Sequence, residues 1–140
     1  MEPVMDKQAL GVFLAREFPQ VAQDFEIDAL SAEAIVVRLK VSERHLRPGG
    51  TVSGPNIFAL ADVAVYLAIL SRIGPVGLSV TTSGHVDFMR KPEAGRDLIG
   101  TARLLKLGRV LAVGDVLVHS EGQAEPVARA SMTYSIPPKR

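Results

Sequence analysis

A single carboxylate lies within a long apolar stretch of this chain. Asp62 is the one charged residue of SGPNIFALADVAVYLAIL, residues 53–70. Moving an unpaired carboxylate from water into an apolar interior costs several kcal/mol. Asp62 therefore needs either a buried hydrogen-bonding partner or a chemical role, and the stretch itself leaves both interpretations open.

Glycine residues surround the start of the same stretch. Gly49, Gly50 and Gly54 allow the backbone to approach a ligand closely, and the free N–H groups at a helix N-terminus point towards negative charge. Donors placed in this way can form an oxyanion hole. Ser53 is then the helix N-cap, and Pro55 is a first-turn residue whose missing N–H costs little. A plain capped turn is the alternative interpretation.

The spacing of these two features bears on how they could act together. Asp62 follows Gly54 by eight residues, which is roughly 12 Å along a helix that rises about 1.5 Å per residue. One ligand group cannot easily contact both residues on one helix. Two antiparallel helices that face each other across a two-fold axis would bring Asp62 of one subunit towards Gly54 of the other. A site that uses both residues is therefore predicted to exist only in a dimer.

Periodic patterns place these residues in a defined order of elements. Residues 6–18 carry apolar side chains at helical spacing behind a capping Asp6, and the central helix is predicted from about 54 to 72, before Gly74 and Pro75. Alternation of apolar and polar residues predicts an antiparallel hairpin between the two helices. The four strands predicted after the central helix span roughly 78–89, 96–106, 110–120 and 126–136.

The central helix has no polar face, which indicates that a sheet surrounds most of it. We therefore predict an α+β fold, in which a long antiparallel β-sheet wraps around one central apolar helix, and a single domain over residues 1–140. Residues 104–118, LLKLGRVLAVGDVLV, are apolar on both faces of their strands. A symmetric subunit contact that covers the second face is the simplest explanation.

Composition and charge exclude several classes of protein. The chain has no cysteine, so disulfides, thiolate metal sites and cysteine nucleophiles are absent, and its three histidines are too scattered to predict a metal site. The formal net charge of +1 and the lack of tryptophan argue against a nucleic-acid partner. The sequence contains no nucleotide-binding glycine motif and no Gly-x-Ser-x-Gly motif of serine hydrolases.

The N-terminal residues bear on the location of the protein. MEPVMDKQAL carries acidic residues where a secretory signal has a basic stretch. The apolar run of the central helix falls several residues short of the roughly 20 that span a bilayer. We therefore expect a cytoplasmic protein that does not bind a membrane.

The start of the central helix resembles the signature of a known family. ERHLRPGGTVSGPNIFALADVA, residues 43–64, is similar to the hotdog-fold acyl-CoA thioesterases of the phenylacetate-pathway (PaaI-like) type, in which a loop ending in His-Gly-Gly enters a central helix carrying Leu-Ala-Asp. GLSVTTSGHVDFMRKPEAGRDL, residues 77–98, is similar to the third strand of that family and the turn after it, and Gly108 and Arg109 to one of its hairpins. The resemblance covers about residues 33–136.

This resemblance implies an enzyme that hydrolyses acyl-CoA thioesters to a free acid and coenzyme A. It implies that Asp62 acts as general base or nucleophile, and that the Gly54 backbone N–H of the opposing subunit polarises the thioester carbonyl. Ser79 matches a serine that orients the attacking water in some relatives; a strand-end hydroxyl bonded to backbone is the alternative. The resemblance also implies a homodimer at least, a homotetramer by family analogy, and coenzyme A as part of the substrate with no separate cofactor.

Two departures from the family pattern affect the predicted site. Ser53, Gly54 and Pro55 stand where the family has His-Gly-Gly, so the histidine is missing while the donor glycine is kept. Arg47 stands where relatives often have asparagine. Asn56 could hold ligand or act as a second capping residue. Together with Arg47, Ser53 and Pro55, it forms the predicted group of substrate contacts near the helix start.

Basic residues at strand ends are candidates for binding the phosphates of coenzyme A. Arg90 and Lys91 follow one predicted strand, and Arg109 lies in a predicted hairpin. Basic residues at such positions are usually solvated, and this alternative applies to each of the three.

Two rival functions are compatible with the sequence. A non-catalytic hotdog protein that binds acyl-CoA or fatty acyl groups would explain the changed Ser53-Gly54-Pro55 sequence. A hotdog dehydratase or hydratase needs an acid paired with a histidine, but the residue one turn after Asp62 is Tyr66. Hydrolysis of acyl-CoA thioesters is therefore the preferred prediction.

Overall fold

The computed structural model of this protein describes residues 2–75 and 79–138. Within these ranges the helices and strands follow in the predicted order, and two short elements, the helix α2 and a 3-10 helix before α3, were not expected. The helices are α1 (Lys7–Glu17), α2 (Pro19–Ala22) and α3 (Gly54–Ile73), with a 3-10 helix at Glu43–His45. The strands are β1 (Phe25–Leu30), β2 (Ile35–Leu39), β3 (Val80–Phe88), β4 (Leu98–Leu107), β5 (Leu111–Ser120) and β6 (Pro126–Ser135).

The described strands form one antiparallel sheet in the order β1-β2-β4-β5-β6-β3. α3 packs against one face of this sheet and contacts β2 to β6. Two glycines permit the close approach. A Cβ added at Gly114 would lie 2.8 Å from the Val65 side chain, and one added at Gly100 would lie 3.3 Å from Leu60. The predicted α+β hotdog architecture is confirmed.

α3 is apolar on all sides because most of it is enclosed by the sheet and α1. It spans 20 residues from Gly54 to Ile73, close to the predicted range of 54 to 72. By length and composition α3 could span a membrane, so the expectation that its apolar run is too short is wrong. An enclosed core helix passes the same test, and the length of α3 therefore carries no argument for a membrane.

β3 forms one edge of the sheet. It pairs with β6, and no strand lies on its other side in the part of the chain that the structure describes. Most of its length is exposed, and the side chains of Val80 and Phe88 are each 57% exposed. The unpaired N–H and C=O groups of an edge strand can pair with a further strand. Position 78, the predicted start of this strand, lies outside the described residues.

Part of the apolar surface of β4 and β5 is uncovered in the single chain. Leu105 of β4 is 66% exposed, Leu117 of β5 is 49% exposed, and Val110 in the hairpin between them is 59% exposed. The apolar character of both faces over residues 104–118 agrees with the sequence pattern. The subunit contact expected to cover the outer face stays a prediction.

Candidate active site

Asp62 has two hydroxyl partners. It lies in the third turn of α3, and its Oδ1 accepts hydrogen bonds from Thr81 Oγ1 at 2.7 Å and from the Tyr134 hydroxyl at 2.8 Å. The Tyr134 hydroxyl also lies 3.0 Å from the backbone oxygen of Asp62. Oδ2, the second carboxylate oxygen, accepts no hydrogen bond from residues 2–75 or 79–138. Among the described residues, Asp62 thus has hydrogen-bonding partners at one carboxylate oxygen and none at the other.

Strand register brings the two hydroxyls together. Thr81 of β3 and Tyr134 of β6 are directly paired, so their side chains lie on the same face of the sheet. On β6 this face also carries Met132 and Ala130, which are buried beneath α3 as the alternation of apolar and polar residues predicts. Asp62 therefore meets two donors from adjacent strands on the side of α3 that faces the sheet.

Tyr134 stays protonated over the ordinary pH range. Burial raises the pKa of its hydroxyl far above the usual value, and the negative charge of Asp62 adds to this effect. The rings of Tyr66 and Tyr134 have centroids 6.1 Å apart, and Phe18 contacts Tyr66 edge-on at 5.6 Å. These ring contacts hold the hydroxyl of Tyr134 in place beside the carboxylate.

Asp62 lines a cleft of about 500 Å³. The N-terminal helices, α3 and β3 contribute its walls, which are mostly aliphatic and aromatic and include Leu14, Phe18, Phe25 and Tyr66. Among the described residues that line the cleft, Asp62 is the only charged one. A cleft with apolar walls and a few polar groups suits a ligand with an apolar body and one reactive polar group.

Ser79 lies in the same cleft. Its side chain is 6% exposed, and its hydroxyl has no hydrogen-bond partner in the described part of the chain. The bond to backbone considered as an alternative for Ser79 is therefore not formed within these residues. A buried hydroxyl without a partner costs about 1–3 kcal/mol. A water or ligand atom in the cleft would satisfy it.

Gly54 begins α3 with a free donor. Ser53 caps the helix and accepts a hydrogen bond from the Asn56 N–H at 3.4 Å, while Pro55 occupies the first turn. The Gly54 N–H has no acceptor among the described residues. A Cβ added at Gly54 would lie 3.4 Å from the ring of Phe88, at the end of β3. Gly54 does not line the cleft of its own chain, in agreement with its spacing along the helix.

The loop before α3 is tied to the start of the helix. The side-chain amide of Asn56 donates to Ser53 Oγ at 2.8 Å and to the backbone oxygen of His45 at 3.2 Å. The backbone N–H of Ser53 donates to the same His45 oxygen at 2.9 Å. Because both of these amide hydrogen bonds hold the loop, the geometry favours the capping role of Asn56 over direct contact with ligand.

His45 supports this loop from inside the protein. Its side chain is buried, and Nδ1 accepts a hydrogen bond from the backbone N–H of Ser42 at 2.9 Å. Nε2 lies 3.5 Å from a carboxylate oxygen of Asp24. Burial lowers the pKa of His45, and the positive charge of Arg44 lowers it further. His45 does not line the cleft, so its role in the structure is to position the loop.

The basic residues predicted to bind phosphate lie outside the cleft of their own chain. Arg90 follows β3 and forms a salt bridge with Glu125 at 3.3 Å. Lys91 is exposed beside it, Arg47 is exposed in the loop before α3, and Arg109 is exposed in the hairpin between β4 and β5. Arg90 is thus an exposed residue in a surface ion pair, which is compatible with the solvated alternative.

Within one chain the structure brings together two of the predicted site residues. Asp62 and Ser79 line one cleft, and the remaining predicted residues do not. Thr81 and Tyr134 complete the surroundings of Asp62 but are not identified by the sequence analysis. Alternation places Tyr134 on the buried side of its strand, yet no local pattern reveals its contact with Asp62.

Over the described ranges, no group of three or more His, Asp or Glu side chains is arranged to hold a metal ion.

The family of the chain follows from comparison with known proteins. The family model of the thioesterase superfamily matches residues 49–127, a range that contains the start of α3, Asp62 and Ser79. The chain belongs to the thioesterase superfamily. The predicted family and fold are confirmed, and the chain is a thioester hydrolase.

This thioesterase is similar to several proteins along most of its length. A candidate thioesterase from Silicibacter sp. TM1040 has 62% identity and a TM-score of 0.93, over 99% of this chain and 96% of its own. A mutant of the phenylacetic acid degradation protein PaaI from Thermus thermophilus has 30% identity and a TM-score of 0.71, over 85% of this chain and 99% of its own. Acyl-coenzyme A thioesterase 13 of Homo sapiens is 27% identical over 120 residues, 85% of this chain and 84% of that protein.

Proposed function

We propose that this thioesterase hydrolyses acyl-CoA thioesters to a free acid and coenzyme A, in a site shared by two copies of the chain. The observation that carries the proposal is the cleft, where the free Oδ2 of Asp62 lies among apolar walls that also hold the unpaired hydroxyl of Ser79. Hydrolysis of a thioester requires a base or nucleophile beside an apolar acyl pocket, and the cleft offers both. The similarity to acyl-coenzyme A thioesterase 13 supports coenzyme A as the thiol.

The edge strand β3 supplies the argument for two copies. Thr81, near its start, contacts Asp62, whereas Phe88, at its end, lies against Gly54. Thr81 and Phe88 are roughly 23 Å apart along a strand that rises about 3.3 Å per residue. Antiparallel pairing of two β3 edges would place the start of each strand beside the end of the other. Asp62 of one copy would then face the Gly54 N–H of the second copy.

In this shared site Asp62 acts as a general base. Oδ2 takes a proton from a water molecule held by the Ser79 hydroxyl, while the water oxygen forms a bond to the acyl carbon. The carbonyl oxygen gains the negative charge and accepts a hydrogen bond from the Gly54 N–H of the second copy. Collapse of this intermediate breaks the carbon–sulfur bond, and the sulfur of coenzyme A leaves with the proton that Asp62 took up. The products are a carboxylic acid and a free thiol.

Cations from both copies would surround the mouth of the shared cleft. Arg90 and Lys91 follow the end of β3, and Arg47 precedes α3. All three lie at the same end of the chain's fold as Gly54, so the second copy would contribute them to the shared site. Arg109 lies at the other end of the sheet, because β5 begins opposite Ser135, which pairs with Val80 of β3. These cations are suited to the phosphates of coenzyme A. Ser53 and Pro55 would form the rim at the helix start, which Asn56 holds in place.

The uncovered apolar surface of β4 and β5 is the proposed contact between two such dimers. The contact would bury Leu105 and Leu117 away from water and would produce the homotetramer that the family resemblance implies.

A cytoplasmic location remains our expectation for a chain without cysteine.

Thiol release from a panel of acyl-CoAs tests the proposed function. Asp62→Asn keeps the size of the side chain and removes the base, so we expect kcat to fall roughly 10²–10⁴-fold. Asp115→Asn makes the same chemical change at an exposed position of β5 and should alter kcat by no more than about twofold.

Two results would contradict the proposal in different ways. Thiol release that is unaffected by Asp62→Asn would reject Asp62 as the base. Tight binding of acyl-CoA, without thiol release from any member of the panel, would instead favour the rival non-catalytic binding protein.

A further inference from the structure

We propose that Thr81 and Tyr134 are positioning residues, which hold the carboxylate of Asp62 by Oδ1 and leave Oδ2 as the only oxygen that acts on the substrate. The inference rests on the proposed function and deepens it, because it assigns different roles to the two oxygens of one side chain. It also adds two residues that act through Asp62 to the candidate site.

Both hydroxyls donate to the same oxygen of Asp62. Thr81 Oγ1 and the Tyr134 hydroxyl lie 2.7 and 2.8 Å from Asp62 Oδ1, both at the ordinary length of an O–H···O hydrogen bond. A carboxylate oxygen offers two lone pairs, so both lone pairs of Oδ1 are occupied. The oxygen that takes up a proton from water must therefore be Oδ2.

The same two donors restrict rotation of the Asp62 carboxylate. The terminal torsion of an aspartate is soft, and a carboxylate without partners can exchange its two oxygens. Two donors from different strands remove this freedom, since Thr81 is fixed by β3 and Tyr134 by β6. The two residues are paired in the sheet, which sets the distance between their hydroxyls. The base is thus oriented before substrate binds, which lowers the reorganisation needed for catalysis.

Tyr134 positions the carboxylate and does not itself transfer a proton. Burial and the charge of Asp62 raise the pKa of Tyr134, so its hydroxyl keeps its proton while it supports the carboxylate. The same hydroxyl lies 3.0 Å from the backbone oxygen of Asp62, which ties it to the helix as well as to the side chain. Tyr134 therefore acts on the reaction through Asp62.

Variants of Thr81 test the inference by steady-state thiol release. Thr81→Val keeps the shape of the side chain and removes the donor, so kcat should fall roughly tenfold to a hundredfold while KM changes less than about twofold. Thr81→Ser keeps a hydroxyl and should restore most of kcat. Thr82→Val is the matched control: it removes a neighbouring hydroxyl, which contacts the backbone oxygen of Thr133 at 3.3 Å, and should leave kcat and KM unchanged.

Tyr134→Phe provides an independent measurement of the second donor. It should lower kcat to a similar extent, and the double variant with Thr81→Val should be slower than either single variant because the carboxylate can then rotate. Melting temperatures measured in parallel show whether the buried Tyr134→Phe change unfolds the protein. If it does, the Thr81 variants decide the question, because Thr81 is exposed on the edge strand.

Three results would overturn the inference: an unchanged kcat in Thr81→Val, a Thr81→Ser variant as slow as Thr81→Val, or a loss confined to KM. Asp62→Asn, measured beside them, separates the two proposals. If it abolishes thiol release while Thr81→Val has no effect, the proposed function stands and the positioning role fails. If the wild-type protein releases no thiol from any acyl-CoA, both fail.

Discussion

At the scale of single residues, the site combines satisfied and unsatisfied hydrogen-bonding groups. Asp62 Oδ1 has two donors, whereas the buried hydroxyl of Ser79 has no partner among the described residues. Buried polar groups without partners are rare, because each one destabilises the folded state. Ser79 is therefore a position where substitution should change activity and leave stability nearly unchanged.

Ser79→Ala should slow the enzyme without destabilising the fold. The hydroxyl has no protein partner among the described residues, so its removal should leave the free energy of unfolding nearly unchanged, whereas the attacking water loses one hydrogen bond and kcat should fall roughly threefold to tenfold. Denaturant unfolding and thiol release measure the two effects.

Ser120→Ala is the matched control for that experiment. Ser120 is also buried, at 1% exposed, but its hydroxyl accepts a hydrogen bond from the backbone N–H of Glu93 at 2.9 Å. Its removal should lower stability and leave kcat unchanged. A Ser79→Ala protein that is as destabilised as Ser120→Ala would argue against an unpaired hydroxyl at Ser79.

At the scale of elements, the loop between β2 and α3 determines where the Gly54 donor lies. The ring of His45 accepts the Ser42 N–H, and its backbone oxygen accepts from Ser53 and Asn56. The first of these bonds requires an unprotonated Nδ1. The position of the helix start is thus linked to the neutral form of one buried histidine.

Acidification should destabilise this loop. The pKa of His45 is lowered in the folded protein by burial and by Arg44, so the unfolded chain, with a histidine pKa of about 6.5, binds the proton more readily. Asp24 lies 3.5 Å from Nε2, and the pKa of His45 is nevertheless lowered. The stability that neutral His45 contributes is complete above about pH 6.5 and is lost as the pH falls towards the lowered folded pKa.

His45→Asn tests this pH dependence, because an asparagine Oδ1 can accept the Ser42 N–H without titrating. We expect the melting temperature of the wild-type protein to fall more steeply than that of His45→Asn between about pH 6.5 and about pH 5. Parallel curves for the two proteins would show that His45 does not control the stability of the loop.

Elements were predictable from the sequence where a local pattern determines them. α3 follows from its capping Ser53 and its apolar run, and β6 from strict alternation. The partners of Asp62 were not predictable, because the pairing of Thr81 with Tyr134 joins segments that are distant in the chain. The unpaired state of the Ser79 hydroxyl likewise depends on what surrounds it in three dimensions.

At the scale of the whole molecule, each chain would contribute a base to one shared site and a donor to another. Asp62 belongs to the cleft near the start of β3, and Gly54 lies against the end of the same strand. A dimer built on β3 would therefore contain two equivalent sites, each made from both chains.

Mixing two inactive variants should restore activity if this arrangement holds. Asp62→Asn removes the base, and Gly54→Pro removes the donor N–H. Proline fits at this first helical position, because the N–H has no acceptor among the described residues and Ser53 has the extended ψ of 155° that is favoured before proline. A mixed dimer would then have one site with both changes and one intact site. Random pairing makes about half of the dimers mixed, so about a quarter of wild-type activity should return.

Refolding each variant alone provides the control for the mixing experiment, and neither preparation should regain activity. If well-folded mixtures stay inactive, the site lies within one chain, since every such site would then carry one of the two changes.

The free edge of β3 links activity to the amount of protein present. The strand that places Thr81 beside Asp62 is also the strand through which two copies would meet, so an isolated chain would hold a base with no donor opposite it. Specific activity should consequently decline on dilution below the dimer Kd, and newly made chains would be inactive until they dimerise. Abundance would then govern whether a complete catalyst exists, as well as how many copies of it are present.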